Sequence, residues 1–129
     1  VVVLDTSNDS VLEKHIDNVE NHEAICDVGR KSLDYFKKYI ASAKTVFWNG
    51  PLGKFEDSRF SEGTSEVAKL MSQSSAYSII GGGETITSFA NINLMNSVNY
   101  ASTAGGAFLE YIENKSLPCI DKIIKKNNG

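Results

Sequence analysis

The nonapeptide Trp48-Asn49-Gly50-Pro51-Leu52-Gly53-Lys54-Phe55-Glu56 follows an apolar run with glycines, an amide, a lysine and a carboxylate. Further along, a second apolar run opens into Gly81-Gly82-Gly83-Glu84-Thr85. Glycines between a strand and a helix let a phosphate approach the backbone with no Cβ in the way, and the helix N-terminus adds about half a positive charge. The chemistry these residue types predict is therefore the binding of a phosphorylated ligand. A third turn, Ser102-Thr103-Ala104-Gly105-Gly106-Ala107, again lies between a strand pattern and a helix pattern. In an open α/β sheet ligands sit beyond the carboxyl ends of the strands, so the turns would line one crevice.

Two carboxylates in these turns each admit two readings. Glu84 is either a first-turn acid favourable to the helix dipole or a ligand for a magnesium ion carried by phosphates. Glu56 is either a solvated loop carboxylate or an acceptor for the two hydroxyls of a ribose, since its two oxygens match a vicinal diol. Known phosphate motifs do not fit. Ile86 occupies the last glycine position of the dinucleotide fingerprint, and Gly53-Lys54 lacks both the leading glycine, which is Trp48, and the following hydroxyl residue, which is Phe55, of a Walker A loop.

The elements that must position these turns alternate along the chain. Val1 to Leu4 reads as a short buried parallel strand, and Asp5 to Ser10 supplies turn chemistry. The charged segment Val11 to Glu23 lacks a sustained apolar face and reads as an exposed excursion carrying His15 and His22 at the surface. Leu33, Phe36, Lys37, Ile40 and Ala41 recur at helical steps and predict a helix over Arg30 to Ser42. Thr45 to Trp48 is the next strand, Ser61 to Ser75 a helix, Ala76 to Ile80 a strand, and Glu84 to Ala90 a helix. Val98 to Ala101 forms a weak strand and Thr103 to Glu113 a last helix, which Leu117-Pro118 would end. Strands alternating with helices at this spacing predict an α/β fold with a parallel sheet and right-handed crossovers.

Composition bounds the function. The 129 residues are the size of one domain, and a 41% apolar share is adequate for a core. With 13 basic against 16 acidic residues the net charge is −3, and the basic residues are scattered apart from Lys122, Lys125 and Lys126, which argues against nucleic-acid binding. No apolar run approaches the roughly 18 residues of a membrane span, and no signal-peptide pattern opens the chain. Cys26 and Cys119 lie far apart with no CxxC arrangement, which reads as two reduced, packed thiols of a cytosolic protein.

Taken together, the three glycine turns resemble phosphoglycerate kinase. The likeness covers nearly the whole chain in order, including Asp27-Val28-Gly29 and Leu117-Pro118-Cys119-Ile120. It implies a Rossmann-like three-layer parallel sheet, here incomplete, with Val1 to Leu4 as the third strand of the family's nucleotide domain and the later strands as the fourth to sixth. It implies a cytoplasmic, monomeric full-length glycolytic enzyme that passes a phosphoryl group between 1,3-bisphosphoglycerate and ADP to give 3-phosphoglycerate and ATP. Carried over by position, Glu56 would bind the ribose hydroxyls and Asn49 would lie near the nucleotide phosphates. Pro51 and Lys54 would line the nucleotide pocket. Gly82, Gly83 and Thr85 would hold phosphate oxygens, and Glu84 would stand at the family's magnesium-binding aspartate. Gly105 and Gly106 would aim a helix N-terminus at the transferring phosphoryl group, a reaction that needs positioning and charge stabilisation above all. Ser102 and Thr103 would belong to the segment associated with domain closure.

Three residues depart from the family pattern: Glu84 for aspartate, Ala104 for the first glycine of a triple, and Arg30 for a proline. The expectation for residues 1–129 is a partial nucleotide-binding domain, with the glycerate substrates held by an N-terminal domain that has no counterpart here. Strand three does not touch strand four in the family's order 3-2-1-4-5-6. Such a segment would leave a gap in the sheet and expose strand edges and apolar faces. The alternative reading is a non-catalytic nucleotide- or anion-binding module, or a fragment organised by burial alone.

Overall fold

A computed structural model describes residues 1–127, apart from the side chains of Lys125 and Asn127, so one of the three terminal lysines noted above has its side chain outside the described residues. The chain opens with a three-stranded antiparallel sheet in the order β2-β1-β3, formed by β1 (Val2–Asp5), β2 (Ser10–Glu13) and β3 (Glu23–Asp27). This corrects two expectations. Val1 to Leu4 does not join a parallel sheet, and the Val11 to Glu23 segment contains a strand, a short 3-10 turn at Ile16–Asn18 and the start of another strand. The reason is the short reversal after Asp5. The buried Asp5 carboxylate accepts from the Ser7 amide at 2.9 Å and the Asn8 side chain at 2.9 Å, and Asp9 adopts φ 59°. So tight a turn returns the chain antiparallel, whereas a parallel partner needs a crossover of about a dozen residues. The strand Ser10–Glu13 escapes the sequence because it is almost wholly exposed and carries no inward face to pattern. His15 and His22 are exposed, as expected.

The remainder alternates helix and strand: α1 (Arg30–Ser42), β4 (Thr45–Asn49), α2 (Glu62–Gln73), β5 (Tyr77–Gly81), α3 (Gly83–Asn91), β6 (Tyr100–Ser102), α4 (Gly105–Asn114) and α5 (Pro118–Asn127). Strands β4, β5 and β6 pair in parallel in that order, with Trp48 opposite Ile80 and Ile80 opposite Ala101. The parallel α/β sheet is thus present and has no gap, because β1 is not one of its members.

Alternation decides the two faces of this sheet. Val46, Trp48 and Ile80 point to one side, where Val67, Ala68 and Met71 of α2 and Phe89 of α3 form the buried core and Leu33, Phe36 and Ile40 of α1 close over it. Trp48 meets Phe89 edge-on at 5.5 Å. On the other side Phe108 of α4 touches Phe47 at 5.5 Å and Tyr100 at 6.0 Å, and Phe47, Tyr77 and Tyr100 remain exposed. This is the apolar face expected to be open.

Two further corrections concern the end of the chain. Pro118 does not terminate α4, which stops at Asn114 with Lys115 in the left-handed region at φ 53°. The proline instead opens α5, where its missing N–H costs nothing. Cys26 is buried and free, but Cys119 is exposed, so only one of the two thiols is packed.

Candidate functional site

The three glycine turns follow β4, β5 and β6 at one end of the parallel sheet, each at the carboxyl end of its strand. The turn after β5 takes φ 91° at Gly82, a conformation that favours glycine, and α3 begins at the next residue. The first intrahelical bond runs from the Ile86 amide to the Gly82 carbonyl at 3.1 Å. The amides of Gly83, Glu84 and Thr85 therefore lie at the open helix end. After β6, α4 begins at Gly105, capped by Ala104 in extended conformation.

These two helix ends converge. A Cβ added to Gly105 would lie 3.5 Å from the Gly82 Cα, and one added to Gly82 would lie 3.8 Å from the Gly105 Cα. The Gly82 amide donates to the Ser102 carbonyl at 2.9 Å, joining the turns directly. Asn49, the last residue of β4, reaches into the same place: its side-chain amide donates to the Gly105 carbonyl at 3.1 Å. Its Oδ1 would lie 3.3 Å from a Gly82 Cβ. Gly83, Glu84 and Gly106 are exposed around this point, and nothing lies within 4 Å of where a Cβ on Gly83 or Gly106 would sit. Two positive helix ends with open space before them form an anion cradle.

The turn after β4 is fixed to its surroundings by backbone bonds. The Gly50 amide donates to Thr85 Oγ1 at 2.8 Å, and the Leu52 amide donates to Thr64 Oγ1 at 2.8 Å. The Thr64 hydroxyl donates to the Leu52 carbonyl at 2.6 Å, and the Lys54 amide donates to the Cys26 carbonyl at 2.9 Å. Gly53 takes φ 63°, and a Cβ there would meet the Asp27 carboxylate at 2.6 Å. Asp27 is buried, and its Oδ2 accepts from the Gly63 amide at 2.8 Å in the first turn of α2. A buried carboxylate on a helix N-terminus satisfies both its own charge and an orphan amide.

Of the residues singled out from sequence, Asn49, Gly82, Thr85 and Gly105 come together at the cradle, with Gly83, Glu84 and Gly106 on its rim. Thr85 is fully buried and its hydroxyl accepts from the Gly50 amide, so it lies behind the cradle and ties the β4 turn to α3, which corrects its expected place against phosphate oxygens. Glu56 stands apart, exposed on a groove of about 220 Å³ lined also by Phe55, Ser58, Ser61, Thr64 and Ser88. Pro51 is half-buried and Lys54 exposed along the turn between them. Beyond Glu56, Arg59 holds the Asp57 carboxyl below the usual carboxylate range, first through its guanidinium and then through its backbone amide, and the guanidinium reaches Asp9 in the β1–β2 turn at 3.1 Å. A larger cavity of about 420 Å³ lies by the antiparallel sheet at Glu13, Lys14, His15 and Lys31, and the glycine turns contribute none of its lining.

Sequence reasoning missed Asp27 and Thr64. The only signals were an acid closing an apolar strand and a Gly-Thr pair near a helix start. Two departures from the family pattern have local answers. Ala104 adopts φ −81° and ψ 95°, an ordinary conformation that does not require glycine. Arg30 is the first residue of α1, and its amide, which a proline would lack, donates to Glu13 Oε1 at 2.6 Å.

Comparison with known proteins points to one family. The family model described as phosphoglycerate kinase matches residues 1–115. A phosphoglycerate kinase of Wigglesworthia glossinidia brevipalpis is 45% identical over 126 residues, covering 96% of this chain and 32% of the relative. One from Coxiella burnetii is 48% identical over 107 residues, covering 83% and 27%. The solved Coxiella burnetii phosphoglycerate kinase superposes with a TM-score of 0.84 at 43% identity, covering 94% of this chain and 32% of that one. The Pyrococcus horikoshii enzyme superposes with a TM-score of 0.78 at 28% identity, covering 93% and 30%. The chain spans about a third of the length of the curated relatives it matches.

Proposed function

The chain belongs to the phosphoglycerate kinase family, and on that premise we propose that residues 1–129 supply the phosphate and ribose parts of a nucleotide site within that enzyme's nucleotide-binding domain. The whole enzyme would pass a phosphoryl group between 1,3-bisphosphoglycerate and ADP, giving 3-phosphoglycerate and ATP. The glycerate substrates would be held by the remaining two thirds of a chain as long as its relatives. A cytoplasmic monomer without nucleic-acid or membrane partners follows from the same family. No described helix is long and apolar enough to cross a membrane.

One observation carries this reading: the convergence of the α3 and α4 N-termini at Gly82 and Gly105. Phosphoryl transfer spreads negative charge over equatorial oxygens, and fixed amides and helix dipoles stabilise such charge without reorganising. The Gly83 amide, beside Gly82, would meet phosphate oxygens of the nucleotide, with Thr85 buried behind them. Those of Gly105 and Gly106 would face the transferring group. Asn49 sets the spacing between the two helix ends, and Pro51, Lys54 and Glu56 extend the site toward the ribose.

Magnesium is accommodated by this donor set. Among the described residues no group of three or more His, Cys, Asp or Glu could hold a metal alone. Glu84 is exposed at the cradle's rim, so it would supply one carboxylate while phosphates and water supply the rest, the usual arrangement for this ion. Bound there, the ion would neutralise charge developing on the phosphates.

Calorimetric titration of ADP with magnesium into the chain and into Glu56→Ala tests the reading. Binding by the first that falls at least about tenfold in the second is expected, because one carboxylate holding two hydroxyls contributes roughly 1.5 to 3 kcal/mol. Equal heats, or none from either, would reject it.

A further inference from the structure

We propose that Thr64 is a positioning residue for the nucleotide turn, acting through both polar groups of Leu52. This rests on the reading of the Gly50 to Glu56 turn as part of a nucleotide site. Thr64 lies in the first turn of α2 and is 3% exposed, and although it borders the Glu56 groove, both hydrogen-bonding functions of its hydroxyl are engaged by Leu52. It accepts the Leu52 amide at 2.8 Å and donates to the Leu52 carbonyl at 2.6 Å. A single side chain thereby replaces the neighbouring strand that would otherwise pair with Leu52. Both the place and the rotation of that peptide are fixed.

The clamp has a foundation. Asp27 accepts the amide of Gly63, the residue before Thr64, and there is no room for a side chain on Gly63, whose Cβ would overlap the Asp27 carboxylate and Val28. The start of α2 is therefore held against β3, and Thr64 transmits that position to Leu52. Leu52 in turn stands between Pro51 and the Gly53 to Glu56 stretch, four residues before the carboxylate assigned to the ribose. Release of Leu52 would leave the turn held only on either side of it, Gly50 on Thr85 and Lys54 on the Cys26 carbonyl, and would let the peptides between them shift the place of Glu56 relative to the cradle.

The experiment compares ADP affinity, by calorimetry with magnesium, in the chain and in its Thr64→Val, Thr64→Ser and Glu56→Ala variants, with amide exchange of the unsubstituted chain. Valine keeps the shape and removes the hydroxyl, so the dissociation constant is expected to rise about tenfold, and serine, which keeps the hydroxyl, to restore it to within about threefold. The Leu52 amide is expected to be protected against exchange. An unchanged dissociation constant in Thr64→Val beside a loss in Glu56→Ala would overturn the assignment while leaving the nucleotide reading intact. A loss in Thr64→Ser as large as in Thr64→Val would overturn it by showing that packing alone matters. If Thr64→Val does not fold, a freely exchanging Leu52 amide overturns it without any variant. No ADP binding, or equal binding by Glu56→Ala, removes the nucleotide reading and this assignment with it.

Discussion

At the scale of single residues, the substitution of arginine for proline at position 30 shows how a departure from a family pattern finds its own compensation. Proline at the first helical position has no amide to satisfy. Arg30 has one, and Glu13, from a strand 17 residues away, accepts it at 2.6 Å. The two residues should therefore be coupled. Glu13→Ala is expected to destabilise the chain by about 1 kcal/mol and to have little effect once Arg30→Pro is present. Thermal melts of the double-mutant cycle measure this; equal losses in both backgrounds would show that the contact carries no stability. The same scale explains which site residues the sequence revealed. Gly82 is recognisable because its φ of 91° favours glycine, whereas Thr64 and Asp27 act through partners 12 and 36 residues away that no local pattern announces.

At the scale of elements, the helices and parallel strands were legible because their apolar positions recur at the period of the element. Arg30 to Ser42 matches to the residue. The antiparallel hairpin was not legible, since Ser10–Glu13 shows an exposed face and β1 is too short to reveal its direction. Charged groups tie the loops of that hairpin sheet. Glu23, its side chain 1% exposed, pairs with Lys14 at 2.6 Å. The Lys14 side chain first, and the Glu20 amide second, hold the Glu23 carboxyl below the usual glutamate range. Asp5 is likewise lowered, chiefly by the Ser7 hydroxyl and then its amide. A carboxyl whose folded pKa is depressed contributes stability above its unfolded value and loses it as pH falls through the lower folded value. The melting temperature is thus expected to fall as pH drops below the ordinary carboxylate range. Glu23→Gln should melt lower at neutral pH and show a shallower acid limb in a pH series of melts. Parallel acid limbs in the two proteins would mean that Glu23 does not set this sensitivity.

At the scale of the whole molecule, the parallel sheet is covered unevenly. Helices α1, α2 and α3 close one face, while Phe47, Tyr77 and Tyr100 on the other are 38%, 51% and 52% exposed with Phe108 beside them. Sheets made only of parallel strands ordinarily have both faces buried. An open patch of this kind should bind a hydrophobic dye in the native state. Anilinonaphthalene sulfonate fluorescence is expected to rise with the chain while near-ultraviolet circular dichroism stays native, and to fall by about half in Tyr77→Lys with Tyr100→Lys. An unchanged signal in that variant would place the dye elsewhere.

The bond from the Asn49 side chain to the Gly105 carbonyl joins residues 56 positions apart, and that from Gly50 to Thr85 spans 35. Closing loops of such length precedes any gain from the contacts at their ends, so they form late. During synthesis the Trp48 to Glu56 turn would leave the ribosome long before α4. The cradle cannot exist at that stage, because one of its two helix ends has yet to be made.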